Sequence, residues 1–270
     1  MQASARRKRR RGSLSPVLWI AAGLGLGLLG LPLVALVVRA PWAQLPALLA
    51  QPTVASALIL SLTTGLISTL ISLILGIPLA LVLAASARWP AVPRRLLRAL
   101  VTVPLVLPPV VGGVALLLLL GRRGLIGQFL PFQIPFTTTA VVIAQVFVAM
   151  PFLVLAVEGA LGASDRRYES AASTLGASRF TVFRRITLPL VAPGIAAGSL
   201  LCFCRALGEF GATITFAGSF PGVTQTLPIA TYLQLQTDPD AAIALSLVLM
   251  LISVLVLVSL RDRWVPGVTR

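Results

Sequence analysis

Histidine is missing from the 270 residues, and lysine occurs once, at Lys8. Without histidine there is no imidazole base, no His-centred nucleophilic triad and no His-ligated metal. Arg9 follows Lys8, so no glycine-rich turn ends in Lys and then Ser or Thr, and ATP cannot be held by a loop of that kind. Acidic residues are few, 7 against 22 basic ones, and they are scattered rather than clustered as a membrane-embedded enzyme would need. The two cysteines, Cys202 and Cys204, lie inside one apolar run and point in different directions on a helix. They read as small helix residues rather than a redox or metal pair. Neither a metal nor a cofactor is expected.

Charge is scarce as well. Only 11% of residues are charged, where a soluble domain has about 25%. Hydrophobic residues make up 57% of the chain and the mean hydropathy is +0.99, so part of the surface has lipid as its solvent. A net charge of +15 invites a nucleic-acid reading, but its distribution argues against one. Six of the basic residues are packed into positions 6–11, and most others sit between apolar runs.

Six apolar runs follow the basic segment 1–16. They cover residues 17–38, 54–87, 100–120, 136–157, 190–217 and 241–260, and a tail occupies 261–270. Each is long enough to cross a bilayer core, which takes about 20 residues. The first is too long for a signal peptide, even with Arg6 and Arg7 ahead of it, and reads as a retained helix. Its Gly23, Gly25, Gly27 and Gly30 leave a flat surface for helix packing. Gly76 and Pro78 are expected to bend the second run. Pro104, Pro108, Pro109, Gly112 and Gly113 interrupt the third, which a membrane protein tolerates where neighbours satisfy the freed backbone groups. With the N-terminus inside, eighteen basic residues fall in cytoplasmic segments and three, Arg39, Arg122 and Arg123, fall outside. The positive-inside rule therefore places both termini and residues 158–189 in the cytoplasm.

The segment 158–189 is the most informative. Ser164 or Asp165 can cap a short helix that ends at Gly176, a residue suited to a left-handed C-cap. Ala171, Ala172 and Leu175 give it a small and apolar face. Ser178 can cap a second helix, on which Phe180, Phe183 and Ile186 recur at helical spacing. A short exposed helix pinned between two spans is shaped to dock in a groove of another protein. The pattern resembles the EAA loop of ABC importer permeases: Ala171 and Ala172, then Gly176, nine residues, Ile186, one residue, and Leu188-Pro189. Ser170 is the departure, setting Glu169 one place further from Gly176 than the pattern has it. In that family the loop forms a coupling helix that inserts into a separate ATPase subunit. Residues 205–219, beginning Arg205-Ala-Leu-Gly-Glu209, together with Thr224 to Tyr232 and the Pro104 to Gly113 stretch, resemble the molybdate branch; the Arg-Ala-x-Gly-Glu core is also similar to the sulfate branch.

The resemblance implies an all-α integral membrane protein of the type I importer permease kind, with about six transmembrane helices, in a bacterial inner membrane. It implies a transport subunit without its own ATPase that imports molybdate, or alternatively sulfate or tungstate, by alternating access. The implied partners are a second copy of the permease, ABC ATPase subunits that bind around Glu169, Ala171, Ala172, Leu175 and Gly176, an extracytoplasmic oxyanion-binding protein, and membrane lipid. A secondary transporter would show internal repeats or charges on several spans. Here no repeat is visible and only the fifth run carries charge at depth.

That charge is Arg205 and Glu209, spaced i,i+4 and so expected on one helix face. Each costs about 2.5–3.5 kcal/mol at membrane depth on insertion scales. They are read either as a structural ion pair or as groups that shape the anion path. The outer segment 218–240, with Pro221, Gly222, Pro228, Asp238, Pro239 and Asp240, is read as turns or as a contact for the binding protein.

Overall fold

The computed structural model describes residues 15–165 and 167–261. Apart from Ser15, Pro16 and Arg261, the basic segment and the tail lie outside them. Every regular element among the described residues is helical. The chain divides into two units, residues 1–40 and 41–270. The first holds α1, Pro16–Val38, which starts with proline where no backbone N–H is needed. At 1.5 Å per residue it is about 35 Å long, enough for a hydrocarbon core.

The second unit holds the other helices: α2 (Leu45–Leu49), α3 (Pro52–Ala85), α4 (Ala91–Val106), α5 (Pro109–Leu120), α6 (Thr138–Ala163), α7 (Arg167–Thr174), α8 (Arg179–Val182), α9 (Leu188–Leu207), α10 (Gly211–Ala217), α11 (Leu227–Thr237) and α12 (Pro239–Arg261). A π-helical turn, Phe183–Thr187, joins α8 to α9. By length and composition five helical segments can cross a membrane, or six if the bent α4–α5 pair is one span, as the sequence led us to expect.

α3, α6 and α9 pack against one another at the centre. They share an apolar cluster that includes Leu83, Leu153, Val154 and Val157, but the middle of α3 inverts the rule of soluble proteins. On α3 the buried face is small and polar, Ser61, Thr64, Gly65, Ser68, Ser72 and Gly76, while Ile59, Leu66, Leu70 and Ile74 are exposed. Lipid solvates the large side chains that face out, and the small ones let the backbones approach closely here. α9 meets α6 through Gly194 and Gly198, four apart: a Cβ on Gly198 would lie 2.9 Å from the Ala156 methyl, and one on Gly194 would overlap Ala160. Two polar side chains in this seam are paired across helices, Ser68 donating to Gln145 Oε1 at 2.9 Å and Ser61 Oγ accepting from the Leu227 amide at 2.7 Å.

Four expectations are corrected. The third run is not one helix: α4 and α5 turn through 117° at Leu107 and Pro108. Leu107 is extended because the residue before a proline avoids the helical region. The fifth run also breaks, α9 stopping at Leu207 and α10 starting at Gly211. The polar segment begins late, since α6 runs on through Glu158 to Ala163. The outer segment 218–240 is not turns throughout: Pro221 and Gly222 lie in a turn, but α11 takes 11 of its residues and buries Leu227, Ile229 and Ala230. In addition, α3 continues through Gly76 and Pro78 without interruption.

Candidate functional site

The segment between α6 and α9 folds as a tight helical reversal. Asp165 Oδ1 accepts from the Arg167 amide at 2.9 Å at the start of α7. Ser164 instead closes α6, its hydroxyl donating to the Leu161 carbonyl. At the other end the Ala177 amide bonds to the Ala172 carbonyl at 3.0 Å and the Gly176 amide to the Ser173 carbonyl at 3.1 Å. These are the two bonds of a Schellman stop, and they require the left-handed backbone that Gly176 adopts at φ 82°. Ser178 then caps α8, accepting from the Thr181 amide at 3.2 Å. Both caps read from the sequence, Gly176 and Ser178, are therefore in place.

None of the α7 residues is buried. Tyr168, Leu175 and Phe180 stand out around the reversal, Leu175 at 87% exposure. Ala171 is exposed and Ala172 half-buried. Leu188, half-buried, and Pro189, exposed, open α9. The helical spacing expected for Phe180, Phe183 and Ile186 is interrupted. The inward positions are Val182, Thr187 and Val191, because the π turn adds one residue to the repeat and moves the buried position from Ile186 to Thr187. The Thr187 hydroxyl donates to Glu169 Oε1 at 2.6 Å. A cavity of about 580 Å³ opens beside this contact, lined among others by Arg88, Glu158, Glu169, Phe183 and Thr187. Nearby, Arg98 of α4 pairs with Glu158 of α6 at 2.5 Å. Neither Thr187 nor the Arg98–Glu158 pair was legible as a site residue. The only signal was position: Thr187 lies inside the Ile186 to Pro189 stretch.

The far end of α9 holds the second constellation. Arg205 Nη1 lies 2.7 Å from Glu209 Oε2, with side-chain exposures of 27% and 1%. The spacing is i,i+4, but Glu209 is not on α9. It sits in the break, and its other oxygen accepts from the Ala212 amide at 2.8 Å, capping α10. A carboxylate there meets the positive end of the α10 backbone dipoles as well as the guanidinium. The two broken runs touch at this level. A Cβ on Gly211 would fall 2.7 Å from the Pro109 side chain, and one on Gly113 would fall 2.8 Å from the Ala212 carbonyl oxygen. Phe210, also in the break, stacks at a tilt on Tyr232 of α11 at 5.0 Å. Among the described residues no three His, Cys, Asp or Glu side chains gather in a metal-binding group.

α9 thus connects an exposed helical reversal to a buried charge pair where two interrupted spans meet. Non-helical backbone at membrane depth is found where it is enclosed by protein or lines a water-filled passage, and the class this defines is a multi-span helical transport protein. The comparisons narrow the class. The family described as binding-protein-dependent transport system inner membrane component matches residues 76–267, and the chain belongs to it. The molybdenum transport system permease protein ModB of Mycobacterium tuberculosis is 51% identical over 224 residues, 82% of this chain and 84% of the relative. The protein of the same name from Escherichia coli is 44% identical over 185 residues, 67% of this chain and 80% of the relative. Among solved structures, a bacterial alginate ABC transporter, in complex with its alginate pentasaccharide-bound periplasmic protein, matches with a TM-score of 0.71 over 90% of this chain and 91% of that chain. At 16% identity that likeness is one of fold.

Proposed function

We propose that this chain is the membrane-spanning subunit of an ATP-driven importer of molybdate. The observation that carries the reading is the α7 reversal. It is an unburied helix, closed by a glycine stop, presenting Tyr168, Leu175 and Phe180 to a partner and leading directly into the core helix that ends at the Arg205–Glu209 junction. The chain has no phosphate-binding loop, so the energy comes from ABC ATPase subunits that seat α7. The two ModB relatives support molybdate as cargo, and the positive-inside count supports the cytoplasmic side for α7.

The working unit is a homodimer with the anion path between the two copies, served from outside by an oxyanion-binding protein. From Arg179 to Leu207 the backbone is continuous helix, 29 residues and about 43 Å long. Closure of the ATPase pair displaces α7, and α9 carries that displacement to its far end. There the contact of Gly211 on Pro109 and of Gly113 on Ala212 is the surface that rearranges. The transition needs two states whose balance the ATPase biases. Arg205 presents positive charge at the level of the break, and Glu209 keeps that site from holding an oxyanion too tightly. A sulfate or tungstate cargo is the second reading, because Arg205-Ala-Leu-Gly-Glu209 also resembles the sulfate branch.

The test is molybdate uptake into cells lacking their own importer, supplied with this chain, its ATPase and its binding protein, with sulfate or tungstate as competitor. Uptake that resists sulfate and is abolished by Gly176→Asp supports cargo and loop together. Equal competition by sulfate widens the substrate, and no oxyanion uptake by an assembled complex overturns the cargo assignment.

A further inference from the structure

We infer that Thr187 is a positioning residue for transport: its hydroxyl holds the Glu169 carboxylate and so fixes the coupling helix α7 to the foot of α9. The inference rests on the proposed function, because it gives α7 the task of passing on the motion of an ATPase.

Three observations converge on Thr187. First, α7 has no buried residue; Glu169 and Ala172 are half-buried, and the helix rests shallowly against α8 and the π turn. To that shallow packing is added a side-chain hydrogen bond to the foot of α9, the 2.6 Å bond from Thr187 to Glu169. A hydroxyl donating to a carboxylate at this distance belongs to the strong class of hydrogen bond. Second, Thr187 does not bond within its own helix as several other helical threonines do. Thr63, Thr64, Thr69 and Thr102 each return the hydroxyl to a carbonyl one turn back on their own helix, the ordinary local arrangement. Thr187 directs its hydroxyl across the reversal instead, to a residue 18 positions earlier in the chain. Third, the π turn is what brings it there. In regular α-helix the position after Val182 on the inward face is Ile186, whose side chain has no donor. With the extra residue of the turn Phe183–Thr187 that position belongs to Thr187, 7% exposed.

The arrangement also explains the departure from the EAA pattern. Glu169, one place further from Gly176 than the pattern sets it, lies where the Thr187 hydroxyl reaches its carboxylate. The cavity beside the contact leaves room for α7 to swing when the bond is absent, so an ATPase stroke would be dissipated in the loop rather than delivered to α9.

The experiment uses the complete importer, permease with ATPase and binding protein, in proteoliposomes. Molybdate uptake and ATP hydrolysis are measured together for wild type, Thr187→Val and Thr187→Ser. Valine keeps the shape and removes the donor; serine keeps the donor. Thr187→Val is expected to lower the anion imported per ATP by roughly threefold or more, the range of coupling variants, with the ATPase retained and the apparent KM for loaded binding protein unchanged. Thr187→Ser is expected to restore the ratio. A second readout does not depend on cargo: amide hydrogen exchange of residues 167–176 in the assembled complex rises about tenfold in Thr187→Val, the equivalent of a lost bond to a charged group, and stays at the wild-type rate in Thr187→Ser. Unchanged exchange in Thr187→Val, or equal loss of coupling in both variants, overturns the inference. Raised exchange in Thr187→Val alone, in a wild-type complex that imports no oxyanion, upholds the positioning role and overturns the transport reading.

Discussion

Replacing Arg205 with methionine leaves the Glu209 carboxylate enclosed with one donor, the Ala212 amide. The side chain is 1% exposed, so water cannot take the place of the guanidinium. An uncompensated charge of this kind costs about 3–5 kcal/mol. Glu209→Gln is milder. The amide oxygen can still accept from Ala212, and Arg205, 27% exposed, retains some water. The loss is that of one charged contact, about 1.5 kcal/mol at the low end of its range. In Arg205→Met/Glu209→Gln both charges are gone, methionine fills much of the arginine stem's volume, and the α10 cap survives. The double variant is therefore expected within about 1–2 kcal/mol of wild type, a favourable coupling of about 3 kcal/mol between the two changes. Thermal unfolding of the detergent-solubilised protein measures this, with a thiol-reactive dye reporting exposure of the buried Cys202. Arg205→Met is expected to lower Tm by about 10 °C and the double variant to recover most of it. A double variant no more stable than Arg205→Met would refute the reasoning, since the two charges would then not hold each other. Transport by the same proteins separates the two roles of the pair. Recovery of uptake with stability marks a structural pair, whereas restored stability without uptake places the charges in the anion path.

Other substitutions test the remaining contacts. Gly113→Val puts a branched side chain against the Ala212 carbonyl and Thr215. It should force α5 from α10, cost about 1–3 kcal/mol, and abolish uptake while the ATPase still co-purifies. Gly176→Ala keeps the cavity beside α7 unfilled but strains the left-handed stop by about 1–2 kcal/mol. It should fray α7, seen as faster amide exchange at Leu175 to Ala177, with partial uptake. Leu175→Asp changes an 87% exposed side chain, so unfolding should stay within about 0.5 kcal/mol of wild type while co-purification of the ATPase falls. Gly198→Leu cannot be accommodated at the Ala156 contact, and the folded yield in membranes should drop sharply.

Much of the membrane architecture was legible because lipid leaves a coarse mark on a sequence. Apolar runs of about 20 residues follow from solvation alone and need no tertiary context. The caps at Gly176 and Ser178 were legible for a similar reason, since each depends on one residue and its immediate backbone. What escaped depends on partners distant in sequence. The breaks at Leu107 and Gly208 lie inside runs as apolar as any other, and hydropathy does not register a change of direction. Proline and glycine marked the first break. The second had a single glycine, and its real cause is that Glu209 caps α10, which becomes visible only once Ala212 is placed. The seam through Gly194 and Gly198 carries the spacing of a membrane packing motif, yet nothing in the run says which helix covers it. The π turn was the least legible. A regular repeat through Phe180, Phe183 and Ile186 is a sound reading of those residues, and one inserted position changes the inward one to Thr187.

The position of Glu209 shows how a costly charge and an interrupted span stabilise each other. A carboxylate on an intact helix at that depth would have only Arg205 to offset its desolvation. Breaking the helix at Gly208 exposes the first amides of α10, and Glu209 satisfies one of them at 2.8 Å while α10 offers it the positive end of its dipoles. The same break leaves α10 free of the α9 axis, so it can follow α5, on which it packs through Gly211 and Gly113. A continuous fifth helix would require α9 and α10 to move as one rod. As built, Arg205 belongs to α9 while Glu209 caps α10, and the ion pair at 2.7 Å spans the break between them. Glu209→Asp, one methylene shorter, is therefore expected to keep either the cap or the ion pair but not both. Stability should fall by about 1–2 kcal/mol, and uptake should fall more than binding of the ATPase. An aspartate variant with wild-type uptake and stability would show that the break does not depend on the pair.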